Sequence, residues 1–407
     1  MKNDDMDAST PAVTRRSFMA GATATAIAGT VAAVTAGAAG RALAAGSSAA
    51  GPAGLDDVWV MDSVVHAYSL APENWTSAGA PEELANSLYH GFHKGFSPRN
   101  KPEYLLDEAR FMSGPQLDLL AHALFAESQT DACIYHGLPS FGLFKDGGSP
   151  LSVGRKMRER WPGRVALYGP VSPWQKDPVG EVDRLVDEYG VVGIKLYPLD
   201  IVDGEIKSYS LNDPKVSYPI IKRALARGIR SIAIHKAIPF GRVPMEPFKV
   251  GDIDEAAGTF PEMNFEIVHG GFAFLEETAA QLGRFPNVVI NLEGGSGYLC
   301  NMPRKFAELV GTFLLHGGED RIIWSVGTVA LHPQPFLEAF WNLEIPEDLM
   351  KGYGFPPLTR EAKVKILGLN HARILGLDVA AMRRQADGDE WSVAKRKGLA
   401  APWTGKV

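Results

Sequence analysis

Apolar residues recur along the chain in eight short runs, at 58–61, 132–135, 165–168, 193–196, 231–234, 265–268, 288–292 and 322–326, each with a β-branched or aromatic bias. Runs of that length, bounded by polar or Gly/Pro-containing segments, have the dimensions of buried strands rather than helices. Between most of them the apolar spacing changes to three and four: residues 179–188, 218–226, 275–282 and 306–315 follow the third, fourth, sixth and seventh runs. Strand followed by helix, repeated, predicts parallel strands joined by crossovers and covered on the outside by helices. Eight such units predict a (β/α)8 TIM barrel, with side chains at the strand ends converging on one mouth.

Two stretches exceed a minimal barrel. About seventy residues, 68–131, separate the first run from the second; they hold an aromatic, Pro/Gly-rich loop (72–102) and a helical stretch (104–128). Insertions after barrel strands lie over the mouth, so this one is expected to act as a lid or pocket wall. After the eighth run, 335–340 and 360–375 read as sealing helices, and 379–407 as a surface-draped extension.

The start of the chain reads as an address rather than as fold. Thr14-Arg15-Arg16-Ser17-Phe18-Met19 precedes a long Ala/Gly/Val/Thr stretch that ends in Ala42-Leu43-Ala44-Ala45. Paired arginines, a weakly apolar middle and small residues at the end predict a twin-arginine signal peptide over 1–44, read by the twin-arginine export machinery. Too few Leu and Ile, and no stop-transfer flank, argue against a stable membrane anchor. The expectation is an exported protein, periplasmic or secreted, with a barrel over 45–378. A net charge of -6 and a pI near 6.0 argue against nucleic acid or an anionic membrane as partner. Cys133 and Cys300 read as independent thiols, which leaves stability to the core.

Candidate chemistry sits where the runs end: Asp62 and His66, His136, Lys195 and Tyr197, His235, His269, Glu293, and Thr328 with His332. Five of the ten histidines fall at or just past strand ends, a placement suited to binding a metal through neutral imidazole or to moving protons near neutral pH. His269 is the central candidate, ending the stretch Asn264-Phe265-Glu266-Ile267-Val268-His269-Gly270-Gly271, whose glycines let the backbone turn at once into a helix. His90 and His93, in an aromatic flank of the insertion, read as lid contacts rather than as a metal pair.

Several segments, in order, resemble the amidohydrolase superfamily, in the branch of aminocarboxymuconate semialdehyde decarboxylase. They are Asp62-Ser63-Val64-Val65-His66, Gly193-Ile194-Lys195-Leu196-Tyr197-Pro198, Ile234-His235, Ile267-Val268-His269-Gly270-Gly271, Asn287-Val288-Val289-Ile290-Asn291-Leu292-Glu293 and Ile366-Leu367-Gly368-Leu369-Asn370. The resemblance implies a small-molecule enzyme with a divalent metal, zinc being the expected ion, and activated-water attack or loss of carboxylate. It also departs from the family: Val64 stands where the first histidine of a His-x-His pair belongs, and Trp324-Ser325-Val326-Gly327-Thr328-Val329 lacks the eighth-strand aspartate. His66, His235 and His269 remain as a three-nitrogen metal set.

The expected activity is hydrolysis, with water activated by His269 assisted by Glu293 or His332. Since His269 cannot be both ligand and free base, these are two versions of one reading. Lys195, Tyr197, Lys236 and His136 are the expected substrate-binding residues, with Arg242 beside them; Lys195 either holds a substrate carboxylate or forms a structural ion pair. A decarboxylase of aromatic or unsaturated acids is the alternative, and a binding protein that has lost its metal site a third. Related barrels often pair, so a homodimer is also expected.

Overall fold

The computed structural model describes residues 54–77, 81–114, 116–239 and 243–406. The expected signal segment and Arg242 lie outside them. Eight parallel strands make the barrel: β1 (Met61–Val65), β2 (Ala132–His136), β3 (Val165–Pro170), β4 (Gly193–Leu196), β7 (Ser231–His235), β8 (Asn264–Val268), β9 (Val288–Asn291) and β10 (Ile322–Ile323). Between β4 and β7 the chain makes an antiparallel hairpin, β5 (Leu199–Val202) with β6 (Glu205–Ser208), which was not evident from spacing. Its half-exposed residues alternate too weakly to stand out from a loop. Outer helices include Leu151–Arg160 and Ile253–Thr259, also not foreseen, and the expected Pro178–Tyr189, Ser217–Ala226, Leu275–Arg284 and Pro303–Gly317.

Two strand boundaries move, with consequences for the site. The first strand runs over Met61–Val65 rather than 58–61, so Asp62 lies inside it and points its carboxyl into the barrel wall. The eighth is only Ile322–Ile323, because the chain leaves ladder geometry there to meet the first strand across the seam. Ser63 N donates to Trp324 O at 3.1 Å and His66 N to Thr328 O at 2.7 Å. Asp62 reinforces the closure: Oδ1 accepts from Ser325 Oγ at 2.6 Å, Val326 N at 3.2 Å and Val64 N at 3.3 Å, and Oδ2 from Thr328 Oγ1 at 2.8 Å.

Helical residues 360–375, interrupted by a π-helical turn at Lys365–Leu369, seal the end of the barrel opposite the mouth. There Trp324 N donates to Ile366 O, and His371 bridges Ser63 Oγ at 2.7 Å and Glu266 Oε1 at 3.2 Å. The inserted segment folds as helical turns at Pro81–Asn86, Ser87–His93 and Lys94–Phe96, with Leu88 and Phe92 facing inward. His93 fixes it, donating from Nδ1 to Ala330 O at 2.8 Å and accepting from Leu106 N at Nε2.

The tail is tied down more firmly than expected. Trp391 and Trp403 are buried, and the wholly buried Glu127 carboxylate accepts from Trp403 N at 2.8 Å and Thr404 N at 2.7 Å. Cys133 is buried and Cys300 half-buried, and both are free. Among the described residues no helix is long and apolar enough to cross a membrane.

Candidate active site

The mouth holds a cavity of about 370 Å³. Its floor carries His66, Tyr68, Tyr197, His235, His269 and Glu293, and its walls are mainly apolar: Leu84, Leu88 and Phe92 from the insertion, Leu199 and Ile201 from the hairpin, and Phe248. The three histidines expected to act together therefore do share one pocket.

The barrel backbone aims these groups. His269 follows β8 with φ of 66°, a left-handed conformation that costs a non-glycine residue on the order of 1 kcal/mol or more and turns the ring across the mouth. Glu293 follows β9 and meets it, in direct contact through Oε2 with His269 Nδ1. Two glycines permit this crowding: a Cβ on Gly327 would lie 2.3 Å from Glu293 Oε1, and one on Gly294 3.0 Å from His269 Nδ1.

A line of contacts runs from Glu293 through His269 and His235 to a backbone carbonyl. His235 Nε2 lies 2.6 Å from Ile238 O; since a carbonyl can only accept, Nε2 carries the proton. His235 Nδ1 is then the acceptor, and His269 Nε2 donates to it at 2.8 Å. Burial, with the Lys195 charge behind it, holds His269 well below the usual imidazole range, so its Nδ1 presents a lone pair to Glu293. Burial also pushes the Glu293 carboxyl up, to about 8, against the opposing pull of Lys195. The proton between the two thus belongs to Glu293.

Lys195, on β4, is fully buried behind this floor and does not itself line the cavity. Its ammonium lies 5.3 Å from the Tyr197 ring centroid and has no hydrogen-bond acceptor among the described residues. Burial lowers its pKa to about 8, and Glu293 and then Glu266 act against that shift. Tyr197 stacks on His235 with ring centroids 4.4 Å apart, and Tyr68 leans on His66 at 5.4 Å. Neither phenol hydroxyl has a hydrogen-bond partner among the described residues, and both rings line the cavity. Tyr68 was not singled out from the sequence, although its place two residues after His66 was a usable signal. Asp200, also not foreseen, comes from the unexpected hairpin; it lines the wall, and burial raises its carboxyl to about 6.

Other expected residues stand elsewhere. His332 caps the helix Pro333–Asn342, accepting from Gln334 N through Nδ1, and Nε2 donates to Glu127 at 3.0 Å; it is buried away from the cavity. Lys236 turns outward from the strand end and pairs with Asp252 at 2.8 Å, since alternate positions along a strand face opposite ways. His136 stacks on Tyr168 at 4.6 Å inside the barrel, below the cavity; its ring meets His66 edge-on at 6.1 Å and its carbonyl accepts from His66 Nδ1 at 3.0 Å. His90 meets Glu108 on the surface of the insertion, and His93 makes the lid contacts described above.

The residues do not fit a bound divalent metal. A catalytic ion commonly takes three protein ligands with lone pairs directed at one point. His235 has both ring nitrogens engaged, as does His269, and Asp62 is held by three donors in the closing segment and by Val64 N on its own strand. Among the described residues no cluster of three or more histidine, cysteine or carboxylate side chains is placed to hold an ion.

A closed eight-stranded parallel barrel with titratable groups gathered at the strand ends defines an enzyme of the (β/α)8 class. The family model described as "Amidohydrolase" matches residues 148–377, more than half of the chain, and the chain belongs to that family. Comparison with curated proteins gave no match. Among solved structures it is similar to an uncharacterized TIM-barrel protein from Bordetella bronchiseptica, at 18% identity and a TM-score of 0.54, over 81% of this chain and 99% of that one. More distant are 2,6-dihydroxybenzoate decarboxylase from Rhizobium (15% identity, 78% of this chain and 99% of that one, TM-score 0.49) and 5-carboxyvanillate decarboxylase from Novosphingobium aromaticivorans complexed with manganese (13%, 79% and 97%, TM-score 0.48). At these identities the likeness is one of fold, and the reaction has to be read from the site.

Proposed function

We propose that this amidohydrolase-family enzyme decarboxylates a small aromatic or unsaturated carboxylic acid, with Glu293 as proton donor. The observation that carries this is the direction of the Glu293–His269–His235–Ile238 line, which leaves the mobile proton on a carboxyl group facing an apolar pocket. Hydrolysis by activated water, the first expectation, needs a group that takes a proton from water. His269 and His235 are already engaged, and Glu293 arrives protonated.

In the proposed reaction the C–C bond to the carboxylate breaks and carbon dioxide leaves. The electron pair stays on the substrate carbon, which takes the proton from Glu293; solvent then returns a proton to Glu293. Apolar walls favour the step, because a carboxylate stripped of water is closer in energy to neutral carbon dioxide. The Tyr68 and Tyr197 hydroxyls are free to donate to substrate oxygens. Tyr197 and Phe248, both in the lining and both packed on the His235 ring, give the pocket aromatic surface that suits a flat, unsaturated body.

One observation favours hydrolysis as a second reading. His66 Nδ1 donates to His136 O, so its Nε2 keeps a lone pair that a water molecule could use. The two readings separate on a panel of hydroxybenzoic and unsaturated acids, lactones and esters, run in deuterium oxide. Decarboxylation yields carbon dioxide and one deuterium on the carbon that lost it. Acid plus alcohol, with no carbon dioxide, overturns the proposal in favour of hydrolysis.

A further inference from the structure

Positive charge in this site comes from a side chain. At the first strand, Val64 packs in an apolar cluster with Trp59, Met61 and Ile134, and offers no ligand. At the eighth, the Ser325 and Thr328 hydroxyls are spent on Asp62. His235 and His269 are bonded to each other. Lys195 is buried close by, and its charge disfavours a charge on His66, His235 and His269, while Glu293 and Glu266 act on it in the opposite sense. A divalent ion held by those histidines would share a low-dielectric pocket with that ammonium group.

We propose that the enzyme works without a divalent metal, whichever reaction the site performs, because among the described residues the ligand geometry leaves no point on which three lone pairs converge.

The test needs no substrate. The full chain is purified without chelator, its metal content is measured, and Mn²⁺ and Zn²⁺ are each titrated into it calorimetrically. The expected result is less than about one tenth of an equivalent of metal per chain and no heat of binding.

Stoichiometric metal that disappears in His66→Ala overturns the metal-free site. Carbon dioxide release is not read, so this outcome and those of the decarboxylation assay stand separately.

Discussion

Replacing Asp62 by asparagine or alanine separates a structural clasp from a catalytic or ligand carboxylate. Asp62 is wholly buried, and burial raises its pKa from 3.8 to about 6 despite hydrogen bonds from Ser325, Thr328, Val326 and Val64. The rise of about two units corresponds to roughly 3 kcal/mol, at 1.36 kcal/mol per unit. Because the folded-state pKa is the higher, this contribution to stability is fully present below pH 3.8 and is lost as pH rises through about 6. At pH 7.5 the ionised group therefore carries that cost.

Asparagine keeps an oxygen at the Oδ1 position, where three of the four donors converge, and turns its amide toward Thr328 Oγ1, which can rotate to accept. Asp62→Asn should thus melt at or above the wild-type temperature at pH 7.5 and lose the part of the pH dependence between 4 and 6. Asp62→Ala strands four donors, three of them across the barrel seam, and should cost about 3–5 kcal/mol. Urea unfolding followed by circular dichroism at pH 4.5, 6 and 7.5 measures all three proteins. If Asn is as damaging as Ala at pH 7.5, the charge itself is needed and the clasp argument fails.

Three further outcomes follow from the same geometry. Glu293→Gln keeps the shape but has no acidic proton, so kcat for carbon dioxide release should fall about 10²–10⁴-fold; loss confined to KM would remove Glu293 from the chemistry. With Glu293 acting as an acid whose pKa in the free enzyme is raised to about 8, kcat/KM should be flat below that pH and fall about tenfold per unit above it, and a rise with pH would instead indicate a base. Glu127→Ala leaves His332, Trp403 N and Thr404 N without their acceptor, and should cost about 3–5 kcal/mol while speeding hydrogen exchange at 403–405; unchanged exchange would show that the tail is held by something else.

Much of the scaffold was legible because strand and helix periods are local properties of the chain. The runs at 132–135, 165–168, 193–196, 231–234, 265–268 and 288–292 coincide with strands, and the residues at their ends, His235, His269 and Glu293, share the cavity. The hairpin β5–β6 was missed because its faces are only partly buried, and the strand around Asp62 was misplaced by three residues because 58–65 is apolar almost throughout. The tail read as surface because Trp391 and Trp403 stand alone among polar residues, and what buries them, Phe125, Trp161 and His332, is far away in sequence.

By itself the sequence determined the barrel, the inserted wall over its mouth and the missing ligand positions at Val64 and in 324–329, since each depends on residue type and spacing along a short segment. Tertiary structure decided which way the side chains turn and what they touch. Lys236 points outward to Asp252, His332 caps a helix and clasps Glu127, and Lys195 is shut behind the floor without an acceptor. Protonation was decided there too. His269 looks the same in the sequence whether it binds metal, takes a proton or relays one. Its partners are fixed when His235 and Glu293, 34 residues before it and 24 after it, close on its two nitrogens, because burial and partner identity are set only when distant strands meet.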